Sequence, residues 1–254
     1  MSGQYRFLTI VLLVLVYGFQ VEAIAQWQIS ELDIDFGNPI PSAIGYDDDN
    51  NPMITFRNGT NLYFTRWEED RWIEPQSIRG GVLFSKFIHS ENETFLIDFS
   101  QRNNQYVFRV YDALNRPFVR QIYESNGMAA CNSWDAAIDS DGKVHFVGTR
   151  SSAIFYGYYS PDGNENVIPI IQSQVDLYNA SLAVDSENDP HIIYFSNNLT
   201  LRHAFSEDNE FLSRTVDEGR FSNTSIVIDV NDLITVTYYD TENQNLKSAS
   251  VEWR

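Results

Sequence analysis

Residues Ser181–Phe195 read "SLAVDSENDPHIIYF". Apolar Leu182 and Val184 alternate with small residues, then Asp185, Glu187 and Asp189 fall at alternate positions, and His191 opens a β-branched and aromatic run. Oxygen ligands at alternate positions are how a calcium loop begins. The same letters also describe two strands joined by a tight turn, because Asp and Asn side chains hydrogen-bond the backbone of turns. The rest of the chain separates these readings.

The phrase recurs. "SAIGYDDDNNPMITF", "SKFIHSENETFLIDF", "DAAIDSDGKVHFVGT" and "SIVIDVNDLITVTYY" align with it on the anchors Asp47, His89, Asp139, Asp185 and Asp229, spaced by 42, 50, 46 and 44 residues. Tyr46, Ile88, Ile138, Val184 and Ile228 precede the anchors, and a short polar turn follows each before a period-two strand pattern. A third run comes next in each repeat ("NLYFTRW", "QYVFRVY", "AIFYGYY", "TLRHAFS", "NLKSASV"). Four repeats add a fourth: "RWIEPQSI", "FVRQIYE", "NVIPIIQ" and "FLSRTVDE". No convincing helical period appears.

Self-similarity at this period signals a repeat architecture. The fifth repeat ends after its third run, and "QWQISELDI" (Gln26–Ile34) resembles the missing fourth. An N-terminal strand that completes the last sheet would join the ends of a circular array. The expected fold is all-β: one domain over residues 26–254, a five-bladed β-propeller of four-stranded antiparallel blades with the N-terminal strand closing the last blade.

The repeat frame "SLAVDS…DPHIIYF…L" resembles the secreted short-repeat propellers grouped loosely with sialidase-type Asp-box proteins. The resemblance covers nearly all of residues 26–254 but concerns architecture alone. "SDGKVHF" (Ser140–Phe146) approaches the Asp-box pattern Ser-X-Asp-X-Gly-X-Thr-Trp without its spacing or its tryptophan, and no active-site residue carries over.

The first residues, "MSGQYRFLTIVLLVLVYGFQVEAIAQ", place Arg6 before an apolar run from Phe7 to Tyr17 and small residues at Ala23 and Ala25. This is the layout of a secretory signal peptide (residues 1–25), with an uncleaved anchor as the alternative. The mature chain is expected to be secreted, with no membrane span. Five sequons without proline (Asn58, Asn92, Asn179, Asn198 and Asn223) point to a glycoprotein. Cys131 is the only cysteine, which leaves a buried thiol or an intermolecular disulfide. With 35 acidic against 17 basic residues the formal charge is −18, which excludes nucleic acid as a partner and leaves cations, basic proteins or mineral surfaces.

Four candidate chemistries follow. The Asp-rich turns lack the Gly and the distal Glu of an EF-hand loop, so a structural turn is expected, with calcium as the alternative and otherwise no cofactor. His145 and His191 align with Met53, Phe95 and Ile234, which argues for packed core histidines. In a propeller the b–c loops and d–a connections share one face, where ligands usually bind. There the longest connection, Tyr123–Asp135, brings Trp134 and Asp135 towards the axis, near Arg79, Arg102 and Arg150 of neighbouring loops. A tryptophan with arginines and a carboxylate suits a glycan or acidic ligand, through stacking and bidentate hydrogen bonds; alternatively Trp134 plugs the space between blades. The residues favour a lectin-like or extracellular-matrix recognition protein, with a glycosidase or sialidase-like hydrolase using Tyr123, Glu124 and Asp135 as the alternative. A third reading is an acidic component of a mineralised matrix.

Overall fold

Each repeat folds into one antiparallel sheet whose strands lie side by side in chain order, except where the outer strand of the first is broken. The computed structural model describes residues 40–90, 93–102, 105–114, 120–128, 133–163, 165–197, 199–208 and 210–253. Residues 1–25, the segment 26–34, Asn92, Cys131 and Asn198 lie outside them. Sheet one holds β1 (Ile40–Tyr46), β2 (Pro52–Asn58), β3 (Asn61–Glu68), β4 (Arg71–Trp72) and β5 (Gln76–Arg79). Its outer strand is in two pieces, both paired to β3, because Pro75 between them has no amide to donate. Sheet two holds β6 (Val82–His89), β7 (Thr94–Arg102), β8 (Gln105–Asp112) and β9 (Arg120–Met128). Sheet three holds β10 (Ser133–Ile138), β11 (Val144–Arg150), β12 (Ala153–Tyr159) and β13 (Glu165–Gln172). Sheet four holds β14 (Leu177–Val184), β15 (Pro190–Ser196), β16 (Thr200–Glu207) and β17 (Glu210–Glu218), and sheet five holds β18 (Phe221–Ile228), β19 (Leu233–Asp240) and β20 (Asn245–Glu252). Among the described residues sheet five has three strands, and there is no helix.

The core lies between sheets rather than inside one. Met53 and Phe64 of sheet one meet Phe87 and Leu96 of sheet two. Phe108 of sheet two stacks on Phe146 of sheet three, ring centroids 4.1 Å apart. Leu182 and Ile192 of sheet four face Val147 and Ile154 of sheet three, and on their other side Ile193 and Phe195 meet Phe221 and Val236 of sheet five. A second strand buried on both faces reads as a near-continuous apolar run, which is why "HIIYF" and "FLIDF" lack clean alternation. Each fully buried Phe or Ile side chain contributes about 1.5–3 kcal/mol. Inner strands stay close by using small residues on that face: a Cβ on Gly45 would lie 2.7 Å from the Phe87 ring.

The anchor aspartates build the turns. In sheet four, Asp185 Oδ1 accepts the amides of Glu187 (3.0 Å) and Asp189 (2.8 Å), and its own amide donates to Asp189 O. Asp47, Asp139 and Asp229 repeat these contacts in sheets one, three and five. The fourth turn residue has positive φ in each case: Asn50, Gly142, Asn188 and Asp232, residue types that tolerate that region. Neighbouring turns are joined as well, for Ser140 donates to Asn188 Oδ1 and Ser186 donates to Asp232.

Two of the alignments made from sequence are corrected by the pairing. His145 and His191 face Ala137 and Ala183, and the residues in that row of the other sheets are Met53, Leu96 and Thr235, not Phe95 and Ile234. Sheet two has one more residue between its first two strands, and a one-residue slip moves a side chain to the opposite face. In sheet five the turn has the ordinary length, and direct counting from Asp229 reaches Thr235.

Asp185→Ala is expected to lower the unfolding free energy by about 2–4 kcal/mol, because it orphans two turn amides and the buried His191. Asp229→Ala should cost clearly less, since that carboxylate is exposed and binds no histidine. Urea unfolding of the two variants makes the comparison.

Candidate functional site

The a–b turns end one face of the sheets, and the b–c loops with the d–a connections end the other. On the turn face the histidines are structural. His191 is fully buried; its Nε2 donates to Asp185 Oδ2 (3.0 Å), and its Nδ1 shares a proton with His203 Nε2 (2.9 Å). His145 repeats the arrangement, with Nε2 on Asp139 Oδ2 (2.9 Å) and Nδ1 on Tyr156 Oη (2.6 Å). Both oxygens of Asp139 and of Asp185 are therefore engaged, one by amides and one by imidazole. Among the described residues no group of three or more His, Cys, Asp or Glu side chains is placed to share a metal ion. His203 is held neutral: burial, then His191 and Arg214, lower its pKa from the ordinary 6.5 to about 3.

The residues expected to form the site sit as follows. Trp134 is half-buried on β10 and packed on three rings: it stacks on Phe99 (5.9 Å), meets Phe108 edge-on (6.5 Å) and touches the exposed Phe84 (6.3 Å). Asp135 accepts Lys86 Nζ on Oδ1 (2.6 Å) and the Leu182 amide on Oδ2 (3.0 Å). Lys86 also donates to Ala136 O, so the pair ties the inner strands of sheets two, three and four. Arg79 is turned to sheet two, where it hydrogen-bonds Tyr111 and adds its charge beside Asp98. Arg150 is exposed at the end of β11, and of Arg102 only the backbone, at the end of β7, is described. Trp134 and Asp135 are thus adjacent to each other, while Arg79 belongs to a different network between sheets one and two.

The sheet-two members of that network are buried. Arg109 Nη1 donates to Asp98 Oδ1 (3.2 Å) and to Ser100 Oγ, and Tyr111 Oη donates to Asp98 Oδ2 (2.5 Å). Burial pushes the Asp98 carboxyl up, and the bonds from Tyr111 and Arg109 oppose it. The same row in sheet three holds Val147 and Tyr156, so the charged pair stands where sheet three has uncharged residues. A buried pair of this kind sets geometry more than it adds stability.

A cleft of about 650 Å³ opens on the loop face between sheets four and five. Tyr178 and Asn179 from the start of β14 and Asn197 and Leu199 from the b–c loop of sheet four form one side. Arg220, Phe221 and Ser222 of the next connection and Thr241 of sheet five form the other. Backbone bonds hold both walls. Asn197 N donates to Asp176 O (2.8 Å), Gly219 N to Leu199 O (2.9 Å), and Thr241 donates to Arg220 O through both N (2.8 Å) and Oγ1 (3.0 Å). Asn179 has φ 49° in a bulge of β14, and Asn223 repeats this in β18. Three aspartates nearby are already engaged. Asp176 accepts Tyr178 Oη (3.0 Å); Asp217 accepts Tyr238 Oη (2.8 Å) and Lys247 (3.3 Å); Asp240 accepts Lys247 (2.9 Å) and the side chain and amide of Asn243. The Asn243 bonds and then Lys247 hold Asp240 well below the usual carboxylate range. Each of these four loops lies in the loop-face set read from the sequence, where only the sequons Asn179, Asn198 and Asn223 stand out, and of these Asn179 alone is among the described lining residues. One signal was available: Arg220 is the single cation between Arg214 and Lys247.

No protein-family model matches the chain, and no curated protein matches it. Similar solved structures include the Aleuria aurantia lectin in complex with alpha-methyl-L-fucoside, with 9% identity over 82% of this chain and 72% of that one and a TM-score of 0.58. Kuenenia stuttgartiensis hydrazine synthase shares 15% identity over 91% and 67%, with a TM-score of 0.59. A subtype N10 neuraminidase-like protein of A/little yellow-shouldered bat/Guatemala shares 11% over 80% and 76%, with a TM-score of 0.52. At these identities the likeness is one of fold: an all-β chain resembling the propeller group that includes lectins and neuraminidase-like proteins.

Because His203 is neutral in the fold and titrates near 6.5 when unfolded, its contribution is complete above that pH and is lost as pH falls towards 3. Chemical denaturation between pH 7 and 4 should show stability falling, with His203 responsible for at most about 1.4 kcal/mol per pH unit. His203→Gln should flatten this slope.

Proposed function

We propose that the chain is a secreted glycoprotein that recognises carbohydrate at the loop face without hydrolysing it. Its sheets would form a five-bladed propeller closed by Gln26–Ile34 as the fourth strand of sheet five. The observation that carries the functional reading is the cleft between sheets four and five. Its volume is within the range of small-ligand pockets, and backbone bonds preorganise its walls. Its lining combines an aromatic ring, side-chain amides, hydroxyls and one guanidinium, the groups that stack on sugars and hydrogen-bond their hydroxyls. Glycoside hydrolysis in its usual form needs two carboxylates facing the scissile bond, and the described lining residues include none. On the other side of the face, Trp134 spends its ring surface on Phe84, Phe99 and Phe108, which favours the plug reading of that residue. The lectin with its fucoside adds an analogy at the level of fold only.

Closure is supported by what the end sheets leave open. Among the described residues the outer edge of β20 has no partner strand. Ile44 (63% exposed) and Tyr46 (52%) on sheet one and Val227 (60%) on sheet five present apolar surface of the kind that consecutive sheets elsewhere bury.

A glycan array probed with the secreted protein should show saturable binding to a defined sugar set, and a panel of glycosides should show no turnover. An empty array or catalytic release of the aglycone would overturn the reading. Hydrogen–deuterium exchange tests closure separately: Gln26–Ile34 and the amides of β20 should be protected together, and fast exchange in both would sink the closed ring.

A further inference from the structure

The cleft's charge differs from that of the chain around it. The protein carries −18, yet the described lining residues contribute no carboxylate and one cation, Arg220. Around it Asp176, Asp217 and Asp240 are hydrogen-bonded to Tyr178, to Tyr238 and Lys247, and to Asn243 and Lys247. The exposed Glu218 and Glu242 stand close to Arg220 and Thr241 in the chain and outside the described lining. Lys247 is itself held by those two aspartates and lies over the buried Phe221 ring, 5.3 Å from its centroid. Arg220 is exposed, and among the described residues its guanidinium makes no hydrogen bond or ion pair. Its backbone, by contrast, is fixed by the two bonds from Thr241, so the side chain starts from a set position on the cleft wall.

Resting on the carbohydrate reading of the loop face, we propose that this cleft takes a saccharide bearing an anionic group, a carboxylate or a sulfate, with Arg220 as the residue that recognises the charge. A planar guanidinium with free donors matches an oxyanion by two parallel hydrogen bonds, which a lysine cannot reproduce. Asn197, Ser222 and Thr241 supply neutral donors and acceptors for ring hydroxyls, and the Tyr178 ring supplies an apolar surface. The surrounding negative field repels polyanions at long range, so the cleft selects a short or terminal anionic sugar over a densely charged polymer. Asn179 lies on the same wall and heads the sequon "NAS". A glycan attached there would stand over the cleft and regulate access to it.

The test is calorimetric titration of the full secreted protein with methyl β-D-glucuronide, a methyl glycoside of a sulfated hexose, and methyl β-D-glucoside as the neutral counterpart. It is run on the native chain and on Asn179→Gly, which removes the acceptor and tolerates positive φ. One or both anionic glycosides should bind at least about tenfold more tightly than the neutral one. Arg220→Ala should remove that preference, Arg220→Lys should keep only part of it, and Arg71→Ala, an exposed cation on sheet one, should leave it intact. Binding by Asn179→Gly but not by the native chain supports the site and identifies the glycan as its cover. Equal affinity for neutral and anionic glycosides, or a preference insensitive to Arg220→Ala, overturns the inference while leaving carbohydrate recognition standing. Absence of saccharide binding by either chain, here and on the array, overturns both.

Discussion

One carboxylate oxygen per hairpin organises this molecule. When Asp185 Oδ1 takes the amides of Glu187 and Asp189, the turn closes with Asn188 in the left-handed region, and the first two strands are locked in register. Register decides which face each side chain takes, so the small residues of the inner strands meet the next sheet and His191 points back to the second oxygen of the same aspartate. The turns then bond to one another through Ser140, Asn188, Ser186 and Asp232, and local geometry becomes an inter-sheet relation. Sheet two shows what happens without the aspartate. His89 bonds Thr94 instead, the turn gains a residue, and every partner on β7 moves by one.

On that repeated frame, the spaces between sheets carry different chemistry. Sheets two and three meet through stacked and edge-on aromatic rings, and Phe195 of sheet four meets Phe221 of sheet five at a tilt. Sheets one and two meet partly through Asp98, Arg109 and Tyr111, a charged group buried at a level where sheet three has Val147 and Tyr156. Sheets three and four use imidazole–carboxylate bonds to end their cores on the turn face. The acidity read from composition is therefore only partly a surface property. Several aspartates are structural acceptors, and three near the cleft are engaged by lysine, tyrosine or amides, while Arg220 is the one cation among the described lining residues.

Much of this was legible in the residue order. The anchors, the strand phrases and the turn chemistry are local patterns, and each sheet is a contiguous segment, so the all-β repeat frame and the loops opposite the anchor turns could be located from spacing alone. The histidines were readable as core residues, although two of their counterparts were displaced by one position: in sheet two a residue inserted in the turn is invisible to an alignment that assumes equal turns, whereas in sheet five an equal turn already leads to Thr235. Trp134 stood out for its size, and its size is what makes it useful for packing between sheets two and three.

The sequence by itself determined the repeat, the strand order within each sheet and the capped turns, because these depend on residues a few positions apart. Tertiary structure decided where a ligand could sit. Tyr178, Asn197, Arg220 and Thr241 belong to four loops of two sheets, and their shared cleft exists only because those sheets pack side by side. Charge pairing was decided there too: Asp217 meets Lys247 across thirty positions, a distance at which no spacing rule predicts which acids stay free.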